Sequence, residues 1–242
     1  MASKRIVASR CCGAIIDVQE FFIQQAEKRR RVKIKTNAKN FARLFAYFRI
    51  PMLVTIERPI GRKGAVPPEI KRDLGRRASI FEKDFFDLTK ESRIRKHLAG
   101  LKKKQIVITG CETDVCVLQS CLGLLNLGYE VFVVEDLIFS SSRNVVAAIA
   151  RMKAEGAVLL SYKSLYYELI EAVDGGSHDR KMIKQTRTYK VSEMNLIRSY
   201  NNWRRYRDTV TELNRLSARE LNDLGISRGD ISFVARKAAS AQ

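Results

Sequence analysis

The sequence predicts an α/β fold: a three-layer, Rossmann-like sandwich with a central parallel sheet of five or six strands, followed by a small C-terminal helical appendage. Three observations predict it. Short apolar runs rich in β-branched residues recur along the first two thirds of the chain. They are continuously apolar rather than alternating, as strands buried on both faces are. Segments of helical periodicity separate them, and strands alternating with helices imply parallel pairing through right-handed crossovers. Near Asp174-Gly175-Gly176-Ser177 this pattern stops and a polar, basic stretch begins.

The first strand is Cys11-Cys12-Gly13-Ala14-Ile15-Ile16, with Asp17 at its C-terminal end. Phe21–Val32 reads as a basic loop. Lys35–Arg49 places Phe41, Leu44, Phe45 and Phe48 at helical spacing, an amphipathic helix. Pro51–Ile56 is the second strand. Arg58–Ala78 holds three of the four prolines and reads as a long loop, a length that in compact domains usually carries function. Lys83 falls in the loop region after it, and Ser92–Leu98 is a short helix. Gln105–Thr109 is the third strand, Asp114–Leu127 a helix ended by Gly128, and Glu130–Asp136 the fourth strand. Asn144–Glu155 is a helix closed by Gly156, Ala157–Ser161 the fifth strand, and Ser164–Val173 a last helix. The domains are therefore 1–176, a basic linker 177–191 and a helical module 192–242. In the module, Ser192–Leu216 has helical periodicity through Ile197, Tyr200, Trp203, Val210, Leu213 and Leu216. Ser217-Ala218-Arg219-Glu220 is a capping box that starts another helix, and Gly225 is placed to end it.

Charge and cysteine usage bound the function. The 242 residues carry 45 Lys and Arg against 26 Asp and Glu, a formal charge of +19 that is spread over both parts. Such a field favours anionic substrates, nucleic acid or acidic lipid and says nothing about fold. No apolar run reaches the length of a membrane span, and Met1–Ser9 is too short and polar for a signal core. The five cysteines fit a reducing, cytoplasmic setting. Cys111, Cys116 and Cys121 are evenly spaced, unlike the Cys-x-x-Cys of zinc sites. Only two histidines are present, His97 and His178.

The chemistry concentrates at the third strand. Ile106-Val107-Ile108-Thr109-Gly110-Cys111-Glu112-Thr113-Asp114-Val115-Cys116-Val117 is a buried strand turning tightly into a helix, with Cys116 in the helix's first turn. Unpaired N–H groups and partial positive charge at a helix start favour a thiolate. In parallel sheets reactive groups gather beyond the C-terminal strand ends. That brings Asp17, Lys83 and Cys116 within reach of one another: an acid–base group, a cation and a thiol.

These residues lie in three ordered motifs. Asp17-Val18-Gln19-Glu20-Phe21, Phe81-Glu82-Lys83-Asp84-Phe85-Phe86-Asp87 and Gly110-Cys111-Glu112-Thr113-Asp114-Val115-Cys116-Val117 closely resemble the motifs of the isochorismatase-like cysteine hydrolases over residues 8–173. The resemblance implies a catalytic triad of Asp17, Lys83 and Cys116. It also implies a cis peptide between Cys111 and Glu112, and an oxyanion hole from the Glu112 and Cys116 N–H groups. Gln19, Phe21, Glu57, Phe86 and Thr113 become substrate-pocket candidates. The implied reaction is hydrolysis of an amide-type C–N bond in a small substrate through a thioester, with no cofactor; the basic charge, not the resemblance, favours an anionic one. A metal-holding subgroup carries histidines after the second strand; here Glu57-Arg58-Pro59 stands there, so no metal is implied. Family members usually assemble as dimers or larger oligomers, so a homo-oligomer (dimer or tetramer) is expected. Residues 198–237, with Trp203-Arg204-Arg205 and Leu216–Ile226, resemble a short arginine-rich domain of unknown function common in proteobacteria. That resemblance, with the basic charge, permits the alternative of a regulatory or RNA-binding protein on a hydrolase scaffold, the module binding nucleic acid.

Overall fold

The computed structural model describes residues 4–142, 144–171, 209–210, 212–231 and 233–235. The chain divides into two compact units, Met1–Gly175 and Gly176–Gln242. The first is a six-stranded parallel sheet between helical layers. Its strands are β1 (Cys11–Ile16), β2 (Met52–Glu57), β3 (Ala78–Lys83), β4 (Gln105–Gly110), β5 (Glu130–Ile138) and β6 (Val158–Leu160), in the order β3-β2-β1-β4-β5-β6. The helices are α1 (Glu20–Gln25), α2 (Lys28–Tyr47), α3 (Ile60–Lys63), α4 (Pro68–Lys71), α5 (Ser92–Leu101), α6 (Leu118–Asn126), α7 (Val146–Ala154) and α8 (Tyr162–Ile170).

β1, β2 and β4 are buried at every position, which is why their sequences lack polar–apolar alternation. One core layer joins α2 and α8 to the sheet through Phe41, Phe45, Ile15, Val54 and Leu165. The other joins α5, α6 and α7 through Ile94, Leu98, Cys121, Leu124, Met152 and Ile108. Burying a side chain of this size stabilises the fold by about 1.5–3 kcal/mol.

The structure corrects three sequence readings. The basic stretch read as a loop over Phe21–Val32 is helical for most of its length, in α1 and the first turns of α2. Its arginines lie on the solvent face, where charge does not oppose a helix, while Ile34, Ala38, Phe41 and Phe45 carry the buried face. The long loop Arg58–Ala78 contains the single-turn helices α3 and α4. Lys83 belongs not to a loop but to a sixth strand, β3, which pairs in parallel with β2. β3 is an edge strand of mixed burial, so it lacks the continuous apolar run that marks the other strands.

At the β4 turn, Gly110 has φ +124°, and a Cβ there would meet the Ile16 carbonyl oxygen at 2.0 Å. Only glycine lets the ends of β1 and β4 approach so closely. The expected helix from Asp114 begins differently: Thr113–Val117 form a π-turn, and α6 follows.

In the second unit, residues 209–210 and 212–215 are helical, and α9 spans Ala218–Asp223. The Ser217–Glu220 capping box is formed, with reciprocal bonds of 2.7 and 3.3 Å, and a second box joins Ser227 to Asp230. Gly225 follows α9 with φ +69°. The linker 177–191 and the apolar positions Ile197, Tyr200 and Trp203 lie outside the described residues.

Candidate active site

Sheet register assembles the site. β1 ends at Ile16, paired with Thr55 on β2, and Glu57 two residues on is paired with Lys83 on β3. Thr55 and Glu57 therefore project to one face, and register partners in a parallel sheet share that face. Asp17 lies just beyond Ile16 with φ +50°, and its N–H donates to the Thr55 carbonyl at 3.1 Å. Cys116 reaches the same place from the π-turn after β4. The Glu112 carbonyl accepts from both Val115 N–H (3.2 Å) and Val117 N–H (3.0 Å), the wider turn bringing Cys116 back over the strand ends.

Asp17, Lys83 and Cys116 meet. Lys83 Nζ lies 2.7 Å from Asp17 Oδ2 and 3.6 Å from Cys116 Sγ. The contact with Asp17 is an ion pair rather than an aligned hydrogen bond, since Oδ2 has no well-directed donor. Thr55 Oγ1 donates to Asp17 Oδ1 at 2.8 Å and fixes the carboxylate plane. Asp17 and Lys83 are fully buried, and Cys116 is 2 % exposed, so the cluster is closed off from solvent.

Glu57 is a fourth member. Cys116 Sγ donates to Glu57 Oε2 at 3.2 Å, and Lys83 Nζ lies 3.5 Å from the same oxygen. Lys63, at the end of α3, donates to Glu57 Oε1 and, at 3.0 Å, to the Arg58 carbonyl. Sequence reasoning assigned no role to Thr55 or Lys63. Thr55 had a signal, being the polar residue two before Glu57 in a buried strand; Lys63 had none.

Burial and charge set the protonation states. Burial raises the Asp17 carboxyl above its ordinary 3.8, with Lys83 and Thr55 pulling against it. The Cys116 thiol is pushed far up by burial and by the neighbouring Asp17, only partly offset by Lys83. Burial opposes the charge on Lys83, but Asp17, Cys116 and Glu57 together outweigh it and raise it. Glu57 feels burial first as well, yet Lys63, the thiol and Lys83 leave its carboxyl below the ordinary range. The resting site sets a protonated Cys116 thiol beside the Glu57 carboxylate and the Lys83 ammonium, with burial making Asp17 more basic than an ordinary carboxylate. A carboxylate of raised basicity beside a thiol is what proton abstraction needs.

The remaining predicted residues are placed as follows. Gln19 is buried and its amide is spent on backbone: it donates to the carbonyls of Glu57 (3.1 Å) and Gly64 (2.6 Å) and accepts from Glu57 N–H at 2.7 Å. It clamps the Glu57–Gly64 segment. Phe21 stands edge-on to Phe22, with the Arg62 guanidinium 5.8 Å from its ring centroid. Phe86 is exposed. Thr113 is buried; its N–H donates to the Phe139 carbonyl at 3.0 Å and its Oγ1 is unpartnered among the described residues. The Cys111–Glu112 peptide is cis. The Glu112 side chain accepts from Ser140 Oγ (2.7 Å), Ser141 N–H (2.8 Å) and Ser141 Oγ (2.7 Å), which ties the turn to the segment after β5.

A cation has little room here. Asp17, Glu57 and Cys116 offer donor atoms within 4.8 Å of one another, the spacing of a metal set. The Lys83 ammonium already stands among them, and a divalent ion would have to displace a fully buried cation from its ion pair. The donor set does not fit a metal. The hollow of about 270 Å³ lined by Arg49, Leu74, Arg76 and Arg77 lies at the opposite, N-terminal end of β2 and β3, away from this chemistry.

The six-stranded parallel sheet flanked by helices, with an acid, a lysine and a thiol gathered beyond its strand ends, has the α/β fold of the cysteine hydrolases. The isochorismatase domain model matches residues 12–164, and the chain belongs to that family. A YjiS-like domain model matches residues 196–232. The secreted isochorismatase effector Isc1 of Phytophthora sojae is 34 % identical over 141 residues, covering 56 % of this chain; the chain spans 65 % of that protein's length, just under two thirds. YcaC from Pseudomonas aeruginosa, solved with hexane-2,5-diol and covalent acrylamide, matches with TM-score 0.67 and 26 % identity over 78 % of this chain and 98 % of its own. The Escherichia coli YcaC gene product, described as an octameric hydrolase of unknown specificity, shares the fold with TM-score 0.71 and 23 % identity over 83 % of this chain and 98 % of its own. Among the described residues no helix is long and apolar enough to cross a membrane.

Proposed function

We propose that this hydrolase cleaves an amide-type C–N bond with Cys116 as nucleophile, Asp17 as acid–base and Lys83 as the fixed cation. The observation that carries the reading is the ammonium of Lys83 within 2.7 Å of Asp17 and 3.6 Å of Cys116 in a buried cluster. Asp17 takes the thiol proton as sulfur attacks the carbonyl carbon. The oxyanion forms against the Glu112 and Cys116 N–H groups; the Thr113 N–H is already engaged by Phe139. Asp17 returns the proton to the departing nitrogen, the C–N bond breaks, and a thioester remains. Asp17 then deprotonates water, whose attack restores the thiol and releases the carboxylic acid. Lys83 offsets the negative charge that develops at each stage. The covalent acrylamide described for the Pseudomonas YcaC supports a reactive nucleophile on this scaffold. Vinyl-ether hydrolysis, the reaction after which the family is named, needs no acyl-enzyme, so Cys116 favours the amide reading.

A screen of amides and ureides tests it: the full chain turns over at least one class, and Cys116→Ala abolishes that turnover while keeping the melting temperature. Normal turnover by Cys116→Ala would end the nucleophile reading. The octamer described for the Escherichia coli relative supports a homo-oligomeric assembly, and the five free cysteines support a reducing, cytoplasmic setting. The +19 charge favours a second reading, nucleic-acid binding through the C-terminal module. An RNA mobility shift that disappears on removal of residues 177–242 would support it, and an unchanged shift would not.

A further inference from the structure

Glu57 divides its two oxygens between the chemistry and the surface. Oε2 faces the Cys116 thiol and Lys83, whereas Oε1 is held by Lys63. Of the two lysines, Lys83 is wholly buried and committed to Asp17, while the Lys63 side chain is 18 % exposed. Lys63 ends a four-residue helix whose following Gly64 is pinned by Gln19, so its backbone is fixed and its long side chain is the part free to move. Its ammonium stands 5.8 Å from the Phe22 ring centroid. The neighbouring Arg62 has no carboxylate in ion-pair range among the described residues. Beside Glu57, two cations thus stand above an aromatic pair, and the carboxylate that Lys63 holds belongs to the protein itself.

We propose that Lys63 is the specificity-determining residue of this site and selects substrates bearing a carboxylate, exchanging the Glu57 carboxylate for that of the substrate. The inference rests on the nucleophile reading above and adds the substrate class. An incoming carboxylate makes the same charge-assisted hydrogen bonds that Glu57 Oε1 makes in the closed site, so the exchange conserves the ion pair. A neutral amide has nothing to offer Lys63 and leaves the Lys63–Glu57 contact closed. The alternative role for Lys63 is to keep Glu57 ionised and nothing more.

Two alkylating probes separate these roles without knowledge of the natural substrate. Iodoacetamide and iodoacetate react by the same step: sulfur bonds to the methylene carbon, iodide leaves with the electron pair, and the thiol proton passes to the adjacent carboxylate. They differ in one carboxylate. Rates at Cys116 are read by peptide mass mapping in the full chain, with Cys116→Ser identifying the labelled site. The wild-type ratio of iodoacetate to iodoacetamide rate should exceed that of free cysteine in the same buffer by about tenfold, the worth of one partly buried charged hydrogen bond. Lys63→Met should return the ratio to the free-cysteine value, and Lys63→Arg should retain most of the preference. The ratio cancels any general change in thiol reactivity, and loss of Glu57 ionisation alone would remove a negative charge 3.2 Å from the sulfur and raise the ratio, the opposite of the expected fall. A wild-type ratio equal to that of free cysteine, or a ratio unmoved by Lys63→Met, overturns the proposal while leaving the nucleophile reading standing. If neither reagent labels Cys116 faster than the other cysteines, the nucleophile reading fails and this inference fails with it.

Discussion

Replacing Lys83 by Met removes one charge and little volume, so it isolates the ammonium's contribution. The side chain is fully buried, and its partner Asp17 is equally buried at 2.7 Å, so solvent does not screen the loss. Breaking a buried ion pair by removing one partner costs about 3–5 kcal/mol, because the other charge stays behind unpaired. For a unit of this size that is a fall in melting temperature of about 6–20 °C. The pH dependence has a definite sign. Asp17's folded value lies above its ordinary 3.8, through burial, and Lys83 is the largest influence opposing that rise. Between the unfolded and folded values the native state binds the extra proton, so stability falls as pH rises. Without Lys83 the folded value climbs further and the window widens upward. Lys83→Met should therefore be far less stable than wild type at pH 8 and recover part of the difference at pH 5, where a protonated Asp17 no longer needs a partner. Melting curves of both proteins by circular dichroism at the two pH values check this. A loss under about 2 °C at pH 8, or a larger loss at pH 5 than at pH 8, would refute the buried-pair account.

Two further predictions concern the scaffold of the site. Gly110→Ala places a Cβ 2.0 Å from the Ile16 carbonyl oxygen at φ +124°, so the β1–β4 junction must move. Overpacking and backbone strain together should cost at least about 3 kcal/mol by chemical denaturation. Gln19→Leu strips three hydrogen bonds from the Glu57–Gly64 segment. It should cost about 2–4 kcal/mol and speed amide exchange over residues 57–64 before any other part of the sheet.

What the sequence disclosed depended on whether a feature was local. The buried strands were legible because Cys11–Ile16, Met52–Glu57 and Gln105–Gly110 are covered on both faces and must be apolar throughout. The turn at Gly110 and the capping box at Ser217 were legible because each is a short pattern with one geometric meaning. β3 was missed because an edge strand of mixed burial need not be apolar, so Ala78–Lys83 carries no run. That omission hid the main fact about Glu57. Its pairing with Lys83 is a matter of register between neighbouring strands, and register appears only once β3 is laid beside β2. Lys63 was invisible for a similar reason. A lysine in a Pro- and Gly-rich stretch is ordinary until a single turn of helix returns it to a carboxylate six residues back. The π-turn was also hidden, since Asp114–Leu127 has apolar periodicity whichever way its first turn is wound.

Acrylamide addition tests whether a neutral Cys116 reacts because Asp17 removes its proton. In that reaction sulfur bonds to the terminal alkene carbon and the proton is delivered to the other. Intact mass with peptide mapping over pH 6–9 should show Cys116 modified ahead of Cys11, Cys12, Cys111 and Cys121, all buried with thiols pushed up by burial. The rate should be nearly flat with pH, because the carboxylate supplies the base. Asp17→Asn, which keeps the shape and removes the base, should slow the reaction by about a hundredfold or more and restore the steep rise with pH of an unassisted thiol. An Asp17→Asn protein that reacts as fast as wild type with the same pH profile would contradict the account.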